Sequence, residues 1–346
     1  MRTVLVGCGA MSDGWLSAIR DTPALATGIE MVGFVDLDPE RAAAQARAYG
    51  HEGASCGSDL AAMLEDLRPD AVFDLVVPPA RRAVVETALA HGCHVLSEKP
   101  MANDMDEARA LLAAAREAGR IRAVIQNRRH LPGIRRAKAL IDSGALGQIT
   151  AIHSDFFLAP HFGGFRDEME HVLLLDMAVH TFDAARFLLP SEPTAVYCQE
   201  TNPAGSWYAH GASANAIFDC AGGATFTYRG SWCAEGAPTA WEAQWRIIGT
   251  KGSALWDGNE GLTASVVDGE EGFFRPLREI DVPPAPDLPA TGHAGVILDF
   301  LRAVQGGDAP LTVDHDNIHS LSMVFAAIDS AKQGRRIDIK TQEGAA

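Results

Sequence analysis

Apolar and polar positions follow two regimes along the chain, and the regime changes near residue 121. Before that point, apolar runs too short for helices are separated by stretches whose apolar residues recur at three- and four-residue spacing. Thr3-Val4-Leu5-Val6 reads as a buried strand, and Trp15, Leu16 and Ile19 form the inner face of the helix that follows. Met31-Val32-Gly33-Phe34-Val35 is a second strand. Helices over 40–49, 59–67, 80–91 and 106–118 then alternate with strands over 71–77 and 94–97. Asp38 is placed to cap the first of these helices, with Pro39 at the first helical position. The alternation predicts an α/β fold with a doubly wound parallel sheet.

After a strand over 121–126 and an amphipathic helix over 134–141, stopped by Gly144 and Gly147, longer strands take over. Runs over 149–157, 194–199, 213–219, 224–232 and 242–248 predict an open, mainly antiparallel sheet, with Gly222-Gly223 turning one hairpin. A proline-rich connector over 283–289 leads to two helices near 294–304 and 317–332. The expected division is therefore an N-terminal Rossmann-like domain over 1–121 and an α+β domain over 122–346. No internal repeat or low-complexity tract interrupts it.

Composition narrows the function classes. The chain has 346 residues, 47% of them apolar, and no apolar run long enough to span a membrane, which predicts a soluble two-domain protein. Met1-Arg2 passes straight into a core strand, so no signal peptide is expected. The six cysteines show no paired metal-ligand spacing, and no metal is expected; this fits a reducing cytoplasm, with Cys8 and Cys93 packing as small buried groups. A formal net charge of −16 argues against nucleic acid or an anionic membrane as partner. The Arg128-Arg129 and Arg135-Arg136 pairs are too small to reverse that.

The first strand runs directly into Gly7-Cys8-Gly9-Ala10-Met11-Ser12. Gly7 permits a tight turn, Gly9 lets backbone amides approach a pyrophosphate, and the next helix turns its positive end toward the phosphates. The third glycine position holds Ser12, a small departure. Asp36 ends the second strand 27 residues beyond Gly9, at a strand tip where a carboxylate accepts hydrogen bonds from an adenine ribose. A 2′-phosphate would be repelled there unless Arg41 compensated, so NAD is favoured with NADP still open. The competing reading is a glycine-rich turn in a sheet protein without a cofactor.

Two further clusters bear on chemistry. Ser97-Glu98-Lys99-Pro100 lies at the carboxyl end of a strand, where open α/β sheets place ligands, and a lysine held there can donate to a substrate oxygen. The same tripeptide also fits a solvated loop. Asp176, His180 and Asp183 interrupt an apolar helix at i, i+4 and i+7, with Asp176 and His180 on one face. An imidazole there suits proton transfer from an alcohol; a buried structural pair, a surface stripe and a metal site are the alternatives.

The order and spacing of Gly7-Cys8-Gly9-Ala10, Asp36, His94-Val95-Leu96-Ser97-Glu98-Lys99-Pro100, Gln126-Asn127-Arg128-Arg129 and Asp176-x-x-x-His180-x-x-Asp183 resemble the Gfo/Idh/MocA family of oxidoreductases over nearly the whole chain. The resemblance implies Lys99, Asp176 and His180 as the catalytic group. It implies cofactor contacts at Gly7, Gly9, Ala10, Met11, Asp36, Val77, Pro78, Glu98 and Lys99. It also implies a homodimer or homotetramer built through the C-terminal sheet. Relatives often carry Thr-Pro and a histidine where this chain has Val76-Val77-Pro78-Pro79 and Arg81, which predicts different nicotinamide-side contacts. They often carry glycines before the catalytic helix, where this chain has Glu170-His171-Val172. Asn127, Arg129, His153, Asp155, His161 and His171 are substrate-pocket candidates by position, each with an ordinary structural role as its alternative. The expected reaction is hydride transfer between a nicotinamide cofactor and a carbinol carbon of a sugar, polyol or related polyhydroxylated substrate. A NAD-using epimerase or glycosidase-like enzyme without net redox, and a silent nucleotide sensor, are the competing functions.

Overall fold

In the computed structural model, which describes residues 1–340, the first strand β1 (Arg2–Val6) is buried over all but its first residue. With β2 (Glu30–Val35), β3 (Ser55–Gly57), β4 (Ala71–Asp74), β5 (His94–Ser97) and β6 (Arg122–Val124) it makes an all-parallel sheet in the order β3-β2-β1-β4-β5-β6. Helices connect these strands and cover the sheet, which is why β1, β4 and β5 are near-continuous apolar runs. The strand order reverses between β1 and β4, so a crevice opens at the carboxyl ends there. The short β3, Ser55-Cys56-Gly57, carries no apolar run and was not expected.

The first compact unit does not stop at residue 121. It runs to His130 and takes in Pro289–His319. Helix Gly292–Val304 buries Val296, Ile297, Phe300 and Leu301 in the same core as Leu5, Ile19 and Phe73. Leu301 approaches Gly28 so closely that a Cβ there would lie 2.6 Å from its Cδ2. Beyond the helix, Val313 bridges Ala123, and the Val124 amide donates to the Thr312 carbonyl at 3.0 Å. The apolar spacing of 294–304 identifies a helix but not the core that it joins.

Among the described residues, the second unit comprises Leu131–Leu288 and 320–340. Its strands are β7 (Ile149–Phe157), β8 (Pro193–Thr201), β9 (Ser213–Cys220), β10 (Thr225–Ser231), β11 (Gln244–Gly249), β12 (Gly252–Trp256), β13 (Leu262–Val267), β14 (Leu277–Ile280) and β15 (Ile337–Asp338). They form one sheet in the order β14-β13-β12-β11-β7-β10-β9-β8-β15. The β7–β10 pair is parallel and the other pairs are antiparallel. Strands β12 to β15 were not expected; β14 is largely exposed and so lacks the burial alternation that marks a strand. Helix Pro132–Asp142 and the segment 172–188 pack on one face through Ile134, Leu140, Leu173, Leu174, Phe182 and Leu188. On β7, Ile152, Ser154 and Phe156 are buried, and the residues between them point to the other face.

Candidate active site

Gly7 follows β1 with φ +96°, and a Cβ there would come within 2.8 Å of the Leu75 carbonyl carbon, so the turn requires glycine. Gly9 is different: a Cβ built on it meets nothing within 4 Å. Helix α1 (Ala10–Asp21) starts immediately after Gly9, so its amino end and positive dipole end lie beside that open space. Ala10 and Met11 are exposed at this end. Ser12, fully buried, occupies the third glycine position by folding its hydroxyl back onto the Gly9 carbonyl at 2.6 Å, and it accepts from Gln45 Nε2 at 2.9 Å.

The Asp36 carboxylate locks this loop to β2. Its Oδ2 accepts from the Cys8 amide at 2.8 Å and its Oδ1 from the Asp38 amide at 3.0 Å. Each oxygen keeps a lone pair for a further donor, so a ribose diol fits. Burial, together with the Asp36 charge, pushes the Cys8 thiol up to about 12, which keeps it neutral. Asp38 caps its helix as expected, accepting from the Glu40 amide at 3.0 Å.

At the carboxyl end of β5, Glu98 is buried, and both of its oxygens engage the protein. Oε1 accepts from Trp15 Nε1 at 2.8 Å and Oε2 from the Lys99 amide at 3.1 Å. The carboxylate therefore holds the loop that presents the half-buried Lys99. Arg81, which stands where relatives often carry a histidine, is 1% exposed. Its Nε donates to Asp74 Oδ2 at 2.9 Å, its Nη2 to the Val76 carbonyl at 2.8 Å and its Nη1 to the Pro100 carbonyl. Arg122 donates to the Met101 carbonyl at 2.6 Å, and its own burial pushes it down to about 10. Two buried arginines thus hold the backbone just after Lys99. Val77 stays 59% exposed and Pro78 begins helix Pro78–Ala90.

Asn127 meets a histidine that the sequence does not bring near it. Its Nδ2 lies 3.2 Å from Nδ1 of His293, on helix Gly292–Val304. Burial pushes the pKa of His293 down, and the nearby Glu98 charge opposes this. Arg129 is buried, donating to the Leu311 carbonyl at 2.8 Å and pairing with Asp316 at 2.8 Å, contacts that brace the returning chain.

In the second unit the catalytic-helix candidate is not a regular α-helix. Leu173–Ala178 is a π turn that continues into α-helix Val179–Leu188. Such turns are frequent at functional sites. Across 171–180, only His171, Leu175, Asp176 and His180 escape full burial, so Asp176 and His180 share the accessible stripe. Arg166 donates to both oxygens of Asp176, at 2.8 and 3.4 Å, and its guanidinium lies 5.0 Å from the Phe162 ring and 4.8 Å from the Phe165 ring. Asp183 is buried and accepts from Ser320 Oγ at 2.6 Å, a structural contact. His171 bonds Glu200 through Nδ1.

His153 and Asp155 line a cavity on the open face of the second sheet, with Thr227, Arg229 and Arg246. They alternate with the buried Ile152 and Phe156 and therefore face away from the helix that carries Asp176. There His153 bonds Thr227 Oγ1 at 2.6 Å, and Asp155 binds Arg229 Nε at 2.7 Å. His161 is exposed, stacked on Trp207 at 3.7 Å and 3.3 Å from Glu235.

Residues 1–126 match the oxidoreductase family with an NAD-binding Rossmann fold, and residues 134–255 match the GFO/IDH/MocA C-terminal domain. A 1,5-anhydro-D-fructose reductase of Ensifer adhaerens is 28% identical over 97% of this chain and 98% of its own length. A D-apiose dehydrogenase of Paraburkholderia graminis is 27% identical over 99% of this chain and 90% of its own. The fold is that of an oxidoreductase from Agrobacterium radiobacter crystallised with NAD+, L-tartaric acid and magnesium, with a TM-score of 0.84 at 24% identity over 98% of both chains.

Proposed function

Because the chain belongs to the Gfo/Idh/MocA family of oxidoreductases, we propose how its own residues perform the NAD-dependent oxidation and reduction of a carbinol carbon in a sugar, polyol or related compound. The observation that carries the reading is the half-buried stripe of Asp176 and His180 on a helix otherwise buried around them. NAD supplies the hydride acceptor. The amino end of helix α1 and the open space beside Gly9 take its pyrophosphate, and Asp36 takes the ribose hydroxyls. His180 accepts the hydroxyl proton of the substrate, and Lys99 stabilises the developing alkoxide. Asp176, held by Arg166, orients the imidazole and balances its charge.

We place the protein in the cytoplasm; no helix among the described residues is long and apolar enough to cross a membrane. We also assign the open face of the second sheet to contact between copies, as a dimer or tetramer. Tyr197, Ile217 and Leu255 are about half exposed on its strands, as apolar groups awaiting a partner surface are. Sedimentation of the purified protein as a monomer would remove that assignment.

Turnover is tested by screening sugars and polyols for net formation of NADH. Turnover without net reduction would favour an epimerase or glycosidase-like reaction, and weak, exchangeable NAD binding without turnover would favour a sensor. Cofactor preference gives a sharper check. Leu37, next to Asp36, is 98% exposed, so Asp36→Ser with Leu37→Arg removes a repulsive charge and adds a phosphate partner without disturbing the core. The ratio of kcat/KM for NADP to that for NAD should rise roughly 10-fold or more, since about 1.4 kcal/mol suffices. A wild-type protein that already prefers NADP would contradict the role given to Asp36.

A further inference from the structure

His171 adopts φ +54°, a left-handed conformation uncommon for a residue with a side chain and kept only where the surroundings demand it. Two contacts fix it there. Its carbonyl accepts from the Leu175 amide at 2.9 Å, starting the helix that carries Asp176. Its Nδ1 bonds Glu200 Oε2, with the two side chains only 16% and 8% exposed. Gly211 closes over Glu200, since a Cβ there would lie 2.5 Å from its carboxyl carbon. Glu200 Oε1 is buried without a hydrogen-bond partner, so among the described residues the imidazole is the carboxylate's polar attachment.

A carboxylate bonded to Nδ1 fixes the ring's orientation and tautomer and leaves Nε2 as the group the imidazole can offer a ligand. His171, Asp176 and His180 are the polar members of the accessible stripe across 171–180. The chain that runs on to Gly211 is tied to the segment before His171, the Ala209 amide donating to the Asp167 carbonyl at 2.7 Å. A histidine held under strain, backed by a buried carboxylate and sharing a stripe with a proton-transfer pair, has the attributes of a recognition group rather than a packing group.

We propose that His171, oriented by Glu200, is a specificity-determining residue that accepts a hydrogen bond from a substrate hydroxyl neighbouring the one oxidised, so that the site takes vicinal diols rather than simple alcohols. The proposal rests on the dehydrogenase reading above. His171→Gly is the informative variant, because glycine adopts φ +54° freely; since it leaves the buried Glu200 carboxylate without its imidazole partner, His171→Gly combined with Glu200→Gln, which strands no charge, is made beside it.

Binding of D-glucose, D-xylose, myo-inositol and their monodeoxy analogues to the NAD-loaded protein is measured by calorimetry, alongside turnover. His171→Gly, alone and with Glu200→Gln, should weaken binding of the preferred sugar roughly 10-fold or more and erase discrimination against one deoxy analogue, with NAD affinity retained and the thermal midpoint lowered less in the double variant than in His171→Gly. Glu200→Gln, which keeps the shape but removes the charge, should give a smaller loss that does not add to that of His171→Gly. Wild-type affinity for both the sugar and its deoxy analogues in His171→Gly would overturn the proposal while leaving the dehydrogenase reading intact. A wild-type protein that neither binds nor turns over any compound of the set would overturn both.

Discussion

Replacing His180 or Lys99 by alanine should lower turnover by roughly 10²-fold or more while NAD affinity changes little. A positioned general base contributes about 10²–10⁴-fold, and a donor aimed at a developing oxyanion contributes a comparable factor. Neither side chain belongs to the glycine loop or to the Asp36 carboxylate that locks it. Binding and chemistry should therefore separate. The imidazole should also leave its mark on pH dependence. Oxidation requires His180 to accept a proton, so activity falls on the acidic side as the ring becomes protonated, and that limb should vanish in His180→Ala. Steady-state kinetics across pH, with NAD binding followed by fluorescence, check both statements. Near-normal turnover with the same acidic limb in His180→Ala would remove the residue from the mechanism and leave the Asp176–His180 stripe as structure.

The parts of this molecule legible in the sequence are those fixed locally. Strands β1, β4 and β5 announce themselves because a sheet covered on both faces needs apolar residues at nearly every position. Asp38 and its proline read correctly as a cap because the contact spans two residues. The alternation of Ile152 and Phe156 with His153 and Asp155 already separates the two faces of β7.

What stayed hidden depends on distant partners. Nothing near Arg81 in the chain announces that its guanidinium ends on the Pro100 carbonyl, nor does anything near Asn127 indicate that its side-chain amide meets His293. The Arg166 grip on Asp176 and the Glu200 contact with His171 are likewise tertiary, and a helical wheel cannot foresee the π turn between them. Helix Gly292–Val304 was visible as a helix, yet its place in the first core follows from Phe300 meeting Phe73 across more than half the chain.

Arg81→Met should destabilise the protein by about 3–5 kcal/mol at neutral pH, the usual cost of leaving one partner of a buried ion pair behind. Arg81 and Asp74 are 1% and 0% exposed, so solvent cannot take over the lost contact. The substitution also leaves the Val76 and Pro100 carbonyls without a buried donor, which should loosen the backbone that presents Lys99 and lower activity in the folded fraction. The pH dependence has a definite sign. Burial pushes the Asp74 carboxyl above its ordinary range, and Arg81 pulls it partway back. With the arginine gone the folded-state pKa rises further. A raised carboxyl favours the folded state fully below its unfolded pKa, about 3.9, and loses that contribution as pH climbs through the folded value. The gap between variant and wild type should therefore narrow from pH 7 toward pH 5 in denaturant titrations. Adding Asp74→Leu should recover part of the loss, because removing both charges avoids stranding either one. An equal gap at both pH values, with no recovery in the double variant, would mean that the loss comes from the carbonyl contacts and not from the buried charge.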